Sequence, residues 1–311
     1  MVKRAFLNVT RGSGREFMTC AVIARELAAK YDVLYLSAFN KYFADALADE
    51  LDNVKVIDQA EIASFWNTHW GKVDDNFIAD PYNLSDFSLR RMNFYDAYRY
   101  VTGLEVKNDW TVDGTTTLPQ LQVPMAMRNA AVEFAKQHKK FVIVQFHGGQ
   151  NPIGVPRDNN GNITQPYNYN EVGLHRHYPM DKAEEVCRLL KEDGYEVLQY
   201  TLNNEPHCKD ALYLQRENNQ LWWHALSEFA DGIITIDSSL QHLGIAKCKK
   251  MTVIWVQTLP VNFGYQKAVN IVTNKYDDIG GPSMAGVPLN PEVNYPDPKY
   301  VVQCYKENKL I

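Results

Sequence analysis

Short apolar runs alternate with segments of helical period along this chain, and they do so in two separate series. The first opens with Ala5 to Val9, turns through Thr10-Arg11-Gly12-Ser13-Gly14, and continues with Phe17, Cys20, Ala21, Ala24, Leu27, Ala28 and Tyr31 at helical spacing. Asp32 to Leu36 then reads as a short buried strand, Tyr42 to Leu51 as a helix and Val54 to Ile57 as a strand. The second series starts with a helix over Met127, Ala130, Ala131 and Phe134, closed by the cations His138-Lys139-Lys140, and enters the strand Phe141 to Phe146. A helix over Ala183 to Leu190, stopped by Gly194, leads to strand Tyr195–Tyr200. Helix Leu221–Phe229, strand Gly232–Ile236, a helix from Leu240 and strand Thr252–Val256 follow. Buried strands joined by helices predict parallel sheets with right-handed crossovers. At 311 residues the chain is long enough for two such domains. The predicted layout is an α/β protein with Rossmann-like domains over 1–125 and 126–285, and an arm with a terminal helix over 286–311 packing back across them. A cleft of nucleotide size is expected where the two domains meet.

Three stretches fall outside the alternation. Residues 60–120 crowd Trp66, Trp70, Phe77, Tyr82, Phe87, Phe94, Tyr95, Tyr98, Tyr100 and Trp110 without a clean period. They read as short helices whose aromatics pack on the sheet, or alternatively as a wall that stacks on an acceptor. Gly148 to Gly173 is rich in Asn, Gly and Pro and longer than a connector needs to be, which makes it a candidate lid. Residues 280–298 carry five prolines and predict an irregular arm.

Charge and cysteine usage narrow the function classes. The net charge is -5, from 37 acidic and 32 basic residues, which argues against a large nucleic-acid footprint. No apolar run approaches the roughly 18 residues that span a bilayer. Neither a nucleic-acid nor a membrane partner is therefore expected. Five scattered cysteines, without a CxxC pair, suit reduced thiols and a cytoplasmic location. Gly12-x-Gly14-x-x-Phe17 lacks the third glycine of a dinucleotide fingerprint, so a nicotinamide enzyme is disfavoured. His175-x-His177 has no evident third ligand, and no metal site is expected.

The segment richest in chemistry is Ala230-Asp231-Gly232-Ile233-Ile234-Thr235-Ile236-Asp237-Ser238-Ser239-Leu240-Gln241-His242-Leu243. A buried strand ends in a polar turn and runs straight into a helix. Ser238 and Gln241 stand at capping-box spacing. The amides that open the helix would face the carboxyl end of the strand, where α/β sheets bind ligands. A well-capped structural helix would give the same pattern.

Asp237-Ser238-Ser239-Leu240-Gln241-His242-Leu243 resembles the Asp-Thr-Gly-x-x-His-Leu segment of the heptosyltransferase-like glycosyltransferases, family 9. Ala230-Asp231, Thr252-Val253-Ile254-Trp255 and the stretch from Thr258-Leu259-Pro260 to Phe263-Gly264-Tyr265 resemble its context. Arg176-His177-Tyr178-Pro179 resembles the family's Lys-x-Trp-Pro, and Gly12-Ser13-Gly14 falls where the family has its first glycine turn. The resemblance spans roughly residues 140 to 265 and is thin over 40–125. It implies GT-B architecture, two Rossmann-like domains facing a central cleft, and an inverting, metal-independent transfer of sugar from a nucleotide-sugar donor to a hydroxyl acceptor, a saccharide or another molecule. The nucleotide sugar is a co-substrate and no further cofactor is implied. The absence of an Asp-x-Asp sequence agrees with transfer that needs no metal.

On this reading the amides around Ser238, Ser239 and Leu240 cradle the diphosphate, with Asp237 and His242 lining the same site and Arg176 as the cation. Glu205, beyond strand Tyr195–Tyr200, is the candidate ribose partner. The family places an Asp directly after its first-turn glycine. Here Arg15 follows Gly14 and Glu16 comes next, so Glu16 is the candidate base. Arg11, Gly12, Ser13, Gly14 and Arg15 are the candidate acceptor contacts. Two further readings stay open: a nucleotide-sugar epimerase or hydrolase of the same architecture, and a non-catalytic nucleotide- or sugar-binding protein.

Overall fold

The computed structural model describes residues 2–10, 14–38, 40–88, 92–107, 118, 120–148, 177–201, 205–215, 220–256, 258–272 and 294–307. The chain divides into two compact units, Met1–Arg128 and Asn129–Ile311. The proposed lid lies outside the described residues beyond Gly148, as does most of the proline-rich arm.

In the first unit β1 (Arg4–Val9), α1 (Gly14–Ala28), β2 (Val33–Ala38), α2 (Lys41–Glu50) and β3 (Val54–Val56) follow the predicted alternation. After a 3-10 turn at Gln59–Glu61 come α3 (Ile62–His69), β4 (Asp75–Ile78), α4 (Ser85–Ser88) and α5 (Phe94–Val101). The strands lie in the order β3-β2-β1-β4, all parallel. The aromatic stretch packs as short helices should. Phe65 and Trp66 of α3 stand 5.1 and 5.0 Å from Phe6 of β1, while Phe94 of α5 meets Tyr98 at 4.7 Å. Trp70 and Tyr100 are exceptions, at 81% and 60% exposed.

Helix α6 (Met125–Gln137) crosses the division between the units. The second unit holds β5 (Phe141–Gln145), α7 (Met180–Glu192), β6 (Glu196–Thr201), β7 (Leu212–Gln215), α8 (Gln220–Leu226), β8 (Gly232–Ile236), α9 (Ser239–Gly244), β9 (Met251–Trp255), α10 (Pro260–Phe263), β10 (Val269–Val272) and α11 (Pro298–Glu307). Its parallel sheet has the order β10-β9-β8-β5-β6-β7. All five residues of each of β5, β8 and β9 are buried, which is why those strands read as unbroken apolar runs. Helix α11 packs on α7, β9 and β10 of the same unit.

Local signals behave as their chemistry dictates. Gly194 takes φ 78°, and α7 closes with Tyr195 N–H on the Leu190 carbonyl and Gly194 N–H on that of Lys191, the paired bonds of a Schellman end. The cations after α6 act elsewhere than expected: Lys140 Nζ donates to the Asp193 carbonyl at the end of α7, and His138 pairs with Glu196. Their partners lie at the end of α7 and the start of β6, while the His138 ring stays stacked on Phe134 of α6 at 4.0 Å. Gly244 closes α9 against β8, where a Cβ would land 2.1 Å from Ile233 Cδ1.

Candidate functional site

Numbered within its own unit, the second sheet runs third, second, first, fourth, fifth, sixth. This is the doubly wound order, and the direction of winding reverses between β5 and β8. Ligands of such sheets bind outside the carboxyl ends of the strands at that reversal. The segment from Asp237 to His242 stands there, in the turn from β8 into α9.

Ser238 is the N-cap residue of α9, in extended conformation at φ -152°, but its side chain does not cap. The predicted capping box is not formed. Ser238 Oγ donates a short bond to Gln145 Oε1 at the end of β5 and lies 3.0 Å from Thr235 Oγ1. Gln241, the expected reciprocal partner, turns its amide nitrogen to Asp237 Oδ1 at 2.8 Å. The reason is burial. Gln145 and Gln241 are both fully buried, so each must find its partners inside the protein. Ser238 answers Gln145 across the reversal, and Gln145 Nε2 donates to the His147 carbonyl.

A second chain runs from Asp237 and Gln241 along α9. Gln241 Nε2 lies 3.3 Å from His242 Nε2, and His242 Nδ1 lies 2.7 Å from Tyr265 Oη. An amide nitrogen only donates, so His242 Nε2 accepts here and Nδ1–H donates to Tyr265. Asp237, Gln241 and His242 are at most 1% exposed, and the Leu240 side chain is in the core. What this turn offers to a ligand is therefore its backbone and the half-buried Ser239. Glu205 lies beyond β6, next to β5 in the sheet, and accepts from Thr201 Oγ1 at 2.7 Å. His147 and His177 meet edge to face at 5.1 Å just past β5, with His177 Nε2 donating to the Gly148 carbonyl.

The first unit holds the other cluster. Its sheet reverses between β1 and β4, and α1 starts directly beyond β1. Glu16, in the first turn of α1, is 3% exposed. Its Oε1 accepts from Tyr82 Oη at 2.5 Å and from Arg15 Nη2 at 3.2 Å, and Arg15 Nη2 also donates to Tyr82 Oη at 3.1 Å. Burial pushes the Glu16 carboxyl up, but the Arg15 charge and the Tyr82 hydrogen bond outweigh it and hold it below the usual carboxylate range. Gly14 is buried at the start of the helix.

Asp237, Ser238, Ser239, Leu240 and His242 thus come together at one reversal, with Glu205 at the same edge of that sheet. Glu16, Gly14 and Arg15 belong to the first unit. Arg11, Gly12, Ser13, Arg176 and His175 lie outside the described residues. Among the described residues no group of three or more His, Cys, Asp or Glu side chains gathers as a metal site would, and no helix is long and apolar enough to cross a membrane. The five cysteines are free thiols. Tyr82, Gln145 and Tyr265 escaped the sequence reading as site residues. Gln145 carried a signal, a polar residue inside an apolar run, whereas Tyr82 follows a strand that the pattern did not reveal.

No family model matches the sequence, and no curated protein resembles it measurably in sequence. Solved structures do match. A glycosyl transferase family 9 protein from Veillonella parvula superimposes with a TM-score of 0.58 at 13% identity, covering 98% of this chain and 96% of that one. The ADP-heptose lipopolysaccharide heptosyltransferase II of E. coli gives 0.63 at 12% identity, over 97% and 98% of the two chains. TibC, a dodecameric iron-containing heptosyltransferase solved with ADP-D-beta-D-heptose, gives 0.62 at 13% identity over 98% of this chain and 76% of that one. The chain has the fold of these family 9 glycosyltransferases, with Rossmann-like parallel sheets in both units.

Proposed function

We propose that this chain is an inverting glycosyltransferase that moves a sugar from a nucleotide-sugar donor to a hydroxyl acceptor without a catalytic metal. The observation that carries the reading is the position of the Asp237–His242 turn at the winding reversal of a sheet in Rossmann order, in a chain that follows the family 9 fold over nearly its whole length. The similar structures are named for ADP-heptose, which makes an ADP-linked sugar the first donor to try.

The chemistry follows from the groups present. As the bond from the anomeric carbon to the diphosphate breaks, negative charge gathers on the leaving oxygen. Amides of residues 238–240, which open α9 with no carbonyl partner inside the helix, meet that charge, and Arg176 supplies a cation. Asp237 is buried, so it works from behind, holding the first turn of α9 through Gln241. His242 sets the far end of the same chain against Tyr265. Glu205 takes a ribose hydroxyl. Glu16, ionised at neutral pH, removes the acceptor proton, and attack from the face opposite the diphosphate inverts the anomeric centre.

A thermal-shift titration with ADP and ADP-heptose, run with and without chelator, tests the reading. A ligand at about a hundred times its dissociation constant stabilises the folded chain by about 2.7 kcal/mol. The shift is expected to survive chelation and to disappear in Arg176→Ala. TibC is named as iron-containing, so loss of the shift on chelation would replace the metal-free mechanism with a metal-assisted one. No shift with any nucleotide sugar would leave the likeness as one of fold alone.

A further inference from the structure

Glu16 is placed oddly for a base that must touch its substrate. Only 3% of it is exposed, while Tyr82, whose hydroxyl lies 2.5 Å from Glu16 Oε1, is only half-buried. Tyr82 stands on the turn after β4, where Asp80 Oδ1 accepts from its backbone N–H. Its ring is 5.8 Å from Phe87 and 6.3 Å from Phe94, and the Arg15 guanidinium lies over Phe94 at 5.4 Å. The phenol is therefore held by packing on one side and by two charged groups at its oxygen. Cys20 of α1 and Tyr98 of α5 are buried close enough to feel the Glu16 charge, and burial pushes both of their pKa values up, so they stay neutral. Among the described residues, the charges in contact with the phenol oxygen are those of Glu16 and Arg15.

We propose that Tyr82 is a catalytic residue, a relay through which the acceptor hydroxyl loses its proton to Glu16. This rests on the transferase reading above and refines the identity of its base. The acceptor O–H bond breaks as a new O–H bond forms on Tyr82 Oη. The original phenolic O–H breaks as an O–H bond forms on Glu16 Oε1. The acceptor's electron pair makes the bond to the anomeric carbon, and the pair of the broken glycosyl–phosphate bond leaves on the nucleoside diphosphate. Glu16 ends the turnover protonated and returns the proton to solvent by the same path. Arg15, 3.1 Å from the phenol oxygen, stabilises the negative charge that develops there in transit. It also keeps Glu16 ionised beforehand.

The test measures nucleoside diphosphate release, with water as acceptor, from ADP-heptose and a panel of ADP-, UDP- and GDP-sugars. Tyr82→Phe keeps the ring against Phe87 and Phe94, and melting temperatures recorded beside the kinetics show whether each variant is folded. Tyr82→Phe should lower kcat by about 100-fold or more with KM within about twofold, and Glu16→Gln should do the same. The double variant should be no slower than the slower single one, because both remove one path. A proton inventory in mixed light and heavy water should be bowed for the wild-type chain, as two protons in flight require. If Glu16→Gln stops turnover while Tyr82→Phe keeps kcat within about threefold, Glu16 acts directly and the relay is wrong. If neither substitution slows a working wild-type chain, the base assignment falls along with the relay. A wild-type chain that neither consumes any of the donors nor is stabilised by them overturns the transferase reading itself.

Discussion

The carboxyl edges of the two sheets are built from different chemistry. In the first unit a carboxylate, a guanidinium and a phenol share one oxygen, all within 3.2 Å. In the second, Gln145, Ser238 and Thr235 form one chain, and Gln241, His242 and Tyr265 another, with Asp237 as its anchor. A group that removes a proton has to change its charge during turnover, and the first edge concentrates opposite charges that make such a change responsive. A cradle for a leaving diphosphate has to keep its shape while charge arrives. On the proposed function the second edge does so by satisfying buried polar side chains with one another and leaving the backbone to face the ligand.

The largest effect should come from removing the charge at the first edge. Glu16→Gln keeps the shape of the side chain and should lower turnover by about 10²–10⁴-fold, leaving the thermal shift by ADP intact. Loss of ADP binding in this variant would erase the division of labour between the two edges. The matching experiment on the second edge is Ser238→Ala, which strips Gln145 Oε1 of its donor. It should destabilise the chain by about 1–3 kcal/mol, read as a melting temperature lower by several degrees, and weaken ADP binding as α9 loses its anchor.

Packing beneath that anchor gives the next test. In Gly244→Ala the new methyl meets Ile233 Cδ1 at 2.1 Å with Met251 Cε 3.2 Å away, so about 1–3 kcal/mol should be lost unless Ile233 changes rotamer. No change in melting temperature would mean either that Ile233 turns aside or that α9 is not fixed against β8.

A smaller effect concerns pH. Glu16 has a folded pKa below its unfolded one, so its stabilising contribution is present above the ordinary carboxylate range and fades as pH falls through the lowered value. The melting-temperature gap between the wild-type chain and Glu16→Gln should narrow on acidification from pH 7 and not widen. The smallest effect is expected from Ser239→Ala. It should move stability by no more than about 0.5 kcal/mol, since this residue is half-buried and the network beside it does not need it.

Much of this comparison was legible in the sequence, and what was missed follows burial. Strands β5, β8 and β9 are buried at every residue and stood out as apolar runs. β4, β7 and β10 did not, and all three are edge strands. Alternate residues of β4 are exposed, and Asp75-Asn76-Phe77-Ile78 reads as polar turn as readily as strand. Without β4 the turn carrying Tyr82 could not be located, and the partner of Glu16 stayed hidden. The Asp237–His242 segment was found by its strand-to-helix pattern. Its hydrogen bonds were misassigned because a capping box is a local rule, whereas the partner of Ser238 comes from Gln145, 93 residues away in sequence. Spacing reports local geometry; it does not report which distant buried group is competing for the same hydroxyl.

The central claim is that a nucleotide sugar sits at the carboxyl edge of the second sheet. Hydrogen exchange of the whole chain with and without saturating ADP-heptose tests it most directly. The account predicts slowed exchange of the amides from Asp237 to Leu243 and near Glu205, with β3 and α3 of the first unit unchanged. Protection that leaves the β8–α9 turn untouched while ADP-heptose is bound would contradict it.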